Sequence, residues 1–159
     1  FIPKSTSLNK KNSALFGAFQ SKLSDNVVLD YDFRIDNNYD KFEYNGLSAN
    51  FIFKNLDTTF LFVEENGDVG DANFLSNSTK YEFNDNNIIS FNTRRNRKLN
   101  FTEYYDLLYE YKNDCLIASV KYKKKFYSDR DLKPSENLLF SITFYPFTSY
   151  EHNETNLFN

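Results

Sequence analysis

The feature that most restricts this chain is an alternation of apolar and polar side chains with a period of two. It is cleanest over residues 27–36, where Val27, Leu29, Tyr31, Phe33 and Ile35 fall on one side and Val28, Asp30, Asp32, Arg34 and Asp36 on the other. Successive side chains of an extended strand point to opposite faces, whereas a helix would scatter these residues around its circumference. The segment therefore predicts a strand with one apolar and one charged face. Leu138, Phe140, Ile142 and Phe144 repeat the pattern opposite Leu139, Ser141, Thr143 and Tyr145.

Read along the whole chain, the alternation predicts about nine strands. They lie near 14–23, 26–36, 41–54, 58–65, 74–84, 87–97, 101–112, 115–127 and 137–146. Most run to about ten residues, longer than the five or six usual in soluble sheets and matched to the roughly 9–11 that cross a bilayer at a tilt. No segment carries a competing helical repeat of apolar residues. Connections at 24–25, 55–57, 85–87 and 113–114 are short, while those at 37–40, 65–73 and 128–136 are longer and polar; 98–100 breaks the pattern by being short. Short turns at one end and longer loops at the other mark outer-membrane barrels, with the short end in the periplasm. The expected fold is all-β, an antiparallel transmembrane β-barrel. Its strands occupy residues 1–147, and 148–159 is expected as a polar, disordered C-terminal tail. No internal repeat of fixed period is expected beyond the hairpin rhythm.

Composition narrows the function. Eighteen Phe and twelve Tyr sit in a background of mean hydropathy −0.64. Such aromatic content argues against disorder, and no apolar run approaches the roughly 18 residues of a membrane helix. A net charge of −3 supplies no basic field for nucleic acid. Four Gly and three Pro leave the turns to Asn and Asp. The absence of Met suggests a processed chain or a fragment of a longer one. Cys115 and His152 are the only residues of their types. They are too few for a zinc site, and a Ser-His-Asp triad would have to draw on a histidine in the polar tail. No catalytic residue, metal or cofactor is expected, and the chain reads as a protein other than an enzyme.

The hairpin of 101–112 and 115–127 assigns the faces. Tyr105, Leu107, Tyr109 and Tyr111 share one side with Leu116, Ala118, Val120 and Tyr122. With 113–114 as a two-residue turn, Lys112 faces Cys115. The expected pairs are then Tyr111–Leu116, Tyr109–Ala118, Leu107–Val120 and Tyr105–Tyr122, with Leu108–Ser119, Asp106–Lys121 and Tyr104–Lys123 behind them and Glu103 opposite Lys124. In a barrel, Leu29, Tyr31, Phe33, Leu107, Tyr109, Val120, Phe140 and Ile142 would face lipid. Asp30, Asp32, Asp106, Glu110, Lys121, Lys123, Lys125, Ser141 and Thr143 would face a polar lumen. The three lysines read foremost as a solvated face. A soluble sandwich with the apolar side inward would produce the same alternation, and so would a small self-contained barrel, although nine strands is an odd number for a single bacterial chain.

Residues 100–127, NFTEYYDLLYEYKNDCLIASVKYKKKFY, followed by SDRDLKPSENLLFSITFYPF, resemble the C-terminal end of the LPS-assembly protein LptD, the organic solvent tolerance protein, in its alphaproteobacterial form. The likeness covers about 74–146 and rests on the Tyr-x-Tyr-x-Asn-Asp-Cys turn, the basic-aromatic strand after it, the Asp129-Arg130-Asp131 loop and the apolar last strand; the Glu-Glu-Asn-Gly-Asp run at 64–68 is a looser match. The resemblance implies the last strands of a large outer-membrane barrel that inserts lipopolysaccharide into the outer leaflet. It implies, as partners, lipopolysaccharide, the lipoprotein LptE inside the barrel, an N-terminal periplasmic domain of the same protein and the barrel-assembly machinery. The strand at 137–146 would be the free edge that meets the barrel's first strand at a lateral seam. Cys115 would open its strand at the periplasmic rim and carry a disulfide to the periplasmic domain.

Overall fold

The computed structural model describes residues 13–66, 70–127, 133–145 and 148–155. They form one antiparallel sheet of ten strands in sequential order. The strands are β1 (Leu15–Ser24), β2 (Val27–Ile35), β3 (Phe42–Phe53), β4 (Leu56–Asn66), β5 (Asp71–Asn84), β6 (Asn87–Asn96), β7 (Phe101–Lys112), β8 (Leu116–Lys125), β9 (Ser135–Phe144) and β10 (Thr148–Thr155). Among the described residues each strand packs against its sequence neighbours alone, and β1 and β10 do not meet. The sheet is open.

The nine expected strands are all present, with ends moved by three residues at most. The tenth corrects the expectation for the tail. Residues 148–155 pair with β9 from Thr148↔Phe144 to Thr155↔Asn137, so β9 is an interior strand and not a free edge. Polarity concealed this strand: it lacks the apolar stripe by which the others were recognised. It also makes the strand count of the described residues even, removing the objection drawn from nine.

Connections at one end of the sheet are tight: 25–26, 54–55, 85–86 and 113–115. At the other end lie 36–41, 67–70, 97–100 and 126–134. Residues 67–69, and with them part of the 64–68 motif, lie outside the described residues, as do Asp129, Arg130 and Asp131 and the last four residues of the expected tail.

Asparagine builds the tight end. Asn26, Asn55 and Asn86 each donate a side-chain amide to a carbonyl at the end of the following hairpin, that of Ile52, Glu82 (3.0 Å) and Lys112 (2.6 Å) respectively. Each also accepts at its own backbone carbonyl from the N–H of the same residue, at 2.8 Å. In the fourth turn the Cys115 carbonyl takes this place, accepting from Tyr145 N–H at 2.9 Å.

That fourth turn corrects the hairpin register. Lys112 faces Ile117, and the pairs are Tyr111↔Ala118, Tyr109↔Val120, Leu107↔Tyr122 and Tyr105↔Lys124. Behind them stand Leu108↔Lys121, Asp106↔Lys123 and Tyr104↔Lys125. The turn is centred one residue later than expected, which moves every partner by two and leaves every face unchanged. The cause is Asn113. Its side-chain oxygen accepts the backbone N–H groups of Cys115 (3.0 Å) and Leu116 (2.8 Å), a job it can do only from the first position of the turn. Cys115 therefore sits in the turn itself and does not open the strand.

Candidate functional site: the two faces of the sheet

Cross-strand partners share a face, so the register can be followed from strand to strand. Val27, Phe51, Thr58, Thr79, Phe91, Leu107, Tyr122 and Leu138 form one such row; Leu56, Tyr81, Ile89, Tyr109, Val120 and Phe140 form the next. Leu29, Tyr31, Phe33 and Ile142 lie on this same face. On the opposite face a row runs through Val28, Asn50, Thr59, Ser78, Asn92, Asp106, Lys123 and Asn137. Asp30, Asp32, Glu110, Lys121, Lys125, Ser141 and Thr143 lie there too. The rows climb relative to the strands: Val27 at the tight end of β2 is in line with Leu138 near the loop end of β9. This stagger is what a sheet requires when its strands tilt about a barrel axis.

Curvature can be read from exposure. Among the described strand residues, the buried ones are Gly46, Val63 and Asp106, and all of them lie on the polar face. Apolar-face residues stand open, with Leu47 and Phe60 at 43% and Phe140 at 40%. Side chains converge on the inside of a bend and splay on its outside, so the polar face is the concave one. A soluble sandwich, which buries its apolar faces, would show the reverse.

The concave face is held by charge. Asp106 lies between Lys121 (3.3 Å) and Lys123 (3.7 Å), so the carboxylate meets both the expected lysine and the one its register places opposite. Near the loop end Arg34 reaches Glu43 (3.1 Å) and Glu65 (3.4 Å), and Arg94 reaches Glu103. Sequence reasoning did not find these pairs. Glu43 and Glu103 are each skipped by the register, between Arg34/Ile35 and Arg94/Arg95 respectively, so each sits on a β-bulge that turns its carboxylate toward an arginine on the preceding strand. A signal was present: Arg34…Glu43-Tyr44 recurs as Arg94…Glu103-Tyr104 sixty residues later. Beyond the hairpin rhythm, then, the chain does contain a local repeat.

The convex face is not wholly apolar: near its loop end Lys124 pairs with Glu136, and between β4 and β5 it carries a polar island, also unforeseen. Thr58 and Thr79 share a hydrogen bond of 2.7 Å, Asn77 donates to Thr58 at 3.1 Å, and Thr79 donates to Asn77 at 3.0 Å. The groups satisfy one another, which makes their removal from water tolerable. At the loop end of β7 a hollow of 620 Å³ is lined by Leu99, Phe101, Thr102, Tyr105, Phe126 and Tyr127. No three metal-ligating side chains gather among the described residues. Cys115 is exposed and unbonded in the chain.

This arrangement, a staggered sheet with apolar residues outward and charge inward, has its counterpart among solved structures. Two mutant forms of the porin from Rh. blastica are each similar to this chain at TM-score 0.59 and 12% identity. The match covers 90% of this chain and 50% of each porin. The fold shared with them is a porin-type antiparallel sheet, open here, and the chain spans about half the length of the porins it matches. No family model matches the chain, and no curated protein matches it.

Proposed function

We propose that this chain is a wall segment of an outer-membrane β-barrel. In the full assembly the segment belongs to the translocon that places lipopolysaccharide in the outer leaflet. One observation carries the barrel reading: away from the loop-end rim, the apolar side chains lie on the convex, open face and the charges on the concave one. A curved sheet with that polarity is stable where hydrocarbon lies outside and water inside. The half-length match to a porin fold supports a wall that needs further strands for closure. The lipid-export reading rests on the sequence resemblance at 74–146. It makes lipopolysaccharide the cargo, and LptE, the N-terminal periplasmic domain and the barrel-assembly machinery the partners.

In this reading Leu29, Tyr31, Phe33, Leu107, Tyr109, Val120, Phe140 and Ile142 meet lipid, and Asp106 with its lysines lines the lumen. The tight-turn end is periplasmic, which puts the Cys115 thiol within reach of a periplasmic partner for an interdomain disulfide. The protein acts by position and not by catalysis. Carbonate extraction of membranes tests the barrel: the protein should stay in the pellet, and release into plain buffer as a monodisperse species overturns the reading. Depletion of the full-length protein tests the cargo. Surface lipopolysaccharide should fall while other outer-membrane proteins persist, and undiminished surface lipopolysaccharide removes the export role. Cys115→Ser should change the mobility of the full-length protein on a non-reducing gel; identical mobility excludes the disulfide.

A further inference from the structure

The convex face changes character at its loop-end rim. One row of register partners there runs through Leu47, Phe62, Leu75, Arg95 and Thr102. It begins on apolar side chains and reaches a guanidinium. Arg97, two residues on, lies over the Phe62 ring at 4.9 Å, so it too is on the convex side. Both arginines are exposed, and neither forms an ion pair among the described residues. The concave arginines differ, since Arg34 and Arg94 are each held by glutamate. Arg95 Nη2 instead donates to the side-chain oxygen of Asn100 at 2.7 Å. Asn100 stands between Leu99 and Phe101, which line the 620 Å³ hollow together with Thr102, Tyr105, Phe126 and Tyr127. The guanidinium is therefore at the edge of that hollow. The turn between them is held in place: Leu99 N–H donates to Asn96 Oδ1 at 2.9 Å, Arg97 N–H donates to the Asn73 carbonyl at 2.8 Å, and Lys98 pairs with Asp71. On the β8 side, Lys124 is already matched by Glu136 and lies over the Phe126 ring at 5.4 Å.

We propose that this rim holds one lipid of the surrounding leaflet, with an acyl chain in the hollow and an anionic phosphate headgroup on Arg95 and Arg97. The proposal rests on the outer-membrane reading above. The chemistry of the ligand follows from the two parts of the site. The hollow has the size of a small-molecule site, and its lining is mainly aromatic and aliphatic, which suits a hydrocarbon chain. The arginines beside it have no carboxylate to balance them. An uncharged lipid would leave both uncompensated at the border of hydrocarbon, and a dissolved anion would leave the hollow unfilled. A phosphate-bearing lipid satisfies both parts at once. Guanidinium is suited to the headgroup, because its forked donors match phosphate oxygens. The bond from Arg95 to Asn100 uses one guanidinium donor and leaves the others for the ligand. This lipid stands on the outside of the wall and is distinct from any cargo in the lumen.

Lipid titration of the full-length protein in an uncharged detergent tests this, with bound lipid counted by native mass spectrometry. The probes are dioleoylphosphatidylglycerol, which is anionic, and dioleoylphosphatidylcholine, which has the same chains and no net charge. One phosphatidylglycerol should be retained at least about tenfold more tightly than phosphatidylcholine, the preference expected of two arginines at a membrane surface. Arg95→Gln with Arg97→Gln should abolish the preference, while Arg95→Lys should keep most of it. Leu99→Glu, at an exposed turn position, sets a carboxylate at the edge of the hollow and should also abolish it. Thr102→Trp fills the hollow and should lower retention with both arginines in place. Lys54→Gln removes an equal charge at the tight-turn rim and should change nothing. Equal retention of the two lipids by the native protein, which requires no variant to fold, overturns the proposal. So does a preference that survives the double arginine change or the filled hollow, or one that Lys54→Gln reduces equally. Each of these results in a protein that still pellets with carbonate-washed membranes leaves the membrane reading intact. Full-length protein that is monodisperse without detergent removes the membrane reading itself.

Discussion

Asn113 shows how much one side chain can decide. Two backbone donors end on its side-chain oxygen. Replacement by Ala leaves both without their partner, at a cost of about 1–2 kcal/mol, while Asp keeps the acceptor and should cost less. Guanidinium unfolding in lipid vesicles measures the difference; equal losses in the two variants would exclude the turn as the cause. The sequence displayed Asn113 as a turn former but not which turn position it would hold, and that choice moved the register by two. Asp36 plays the same part at the loop end. It is 7% exposed and accepts the N–H groups of Asp40 (3.0 Å) and Lys41 (3.3 Å). Burial pushes its carboxyl up, but the N–H groups of Asp40, Lys41 and Asn38 together outweigh burial and leave it below the usual carboxylate range. A carboxyl depressed by folding stabilises the protein above its unfolded value, and the contribution is lost as pH falls through the folded one. The stability gap between the native chain and Asp36→Asn should therefore be constant at neutral pH and close below pH about 4. A gap that closes nearer neutrality would contradict this account. Tyr39, in the same loop, has φ of 63°, so Tyr39→Gly should stabilise the loop by up to about 1 kcal/mol.

At the scale of the strand, alternation was legible and curvature was not. Period two separated Val120 from Lys121 on sight, and the sheet keeps them apart. Nothing in a single strand, however, says which of its faces will be concave; that follows from ten strands bending together. The bulges at Glu43 and Glu103 were illegible for a related reason. A bulge appears as one residue out of phase at a strand end, where alternation is already fading, and the carboxylate's partner lies on another strand. β10 was missed because strands were recognised by their apolar faces. The two faces can be compared through one pair of neighbours. Val120→Arg, on the convex side, should cost roughly 2–4 kcal/mol in a bilayer, and Ser119→Arg, on the concave side, well under about 1. Similar costs in the two variants would show that neither face meets hydrocarbon. Across the hairpin, a double-mutant cycle between Asp106 and Lys121 should return a coupling of no more than about 1 kcal/mol, since the lysine is open to water; a coupling several times larger would mean a dry interior.

At the scale of the molecule, the sheet has two edges, and its stagger, polarity and turn asymmetry are those expected of the proposed barrel wall. The repeated hairpins give the wall a further property. β2–β3 and β6–β7 carry the same arginine, the same bulged glutamate and the same tyrosine after it. Both are entered through an Asp-Asn turn, Asp25-Asn26 and Asp85-Asn86, whose asparagine is fastened to the far end of the hairpin. Joining Asn26 directly to Asn87 would remove four strands, replace one such turn by its equivalent, and send the chain into the next hairpin with its direction and facing preserved. Removal of a single strand would reverse everything downstream. The heritable unit of such a wall is thus the hairpin, and evolution can widen or narrow a barrel of this kind by duplicating or deleting hairpins, two strands at a time.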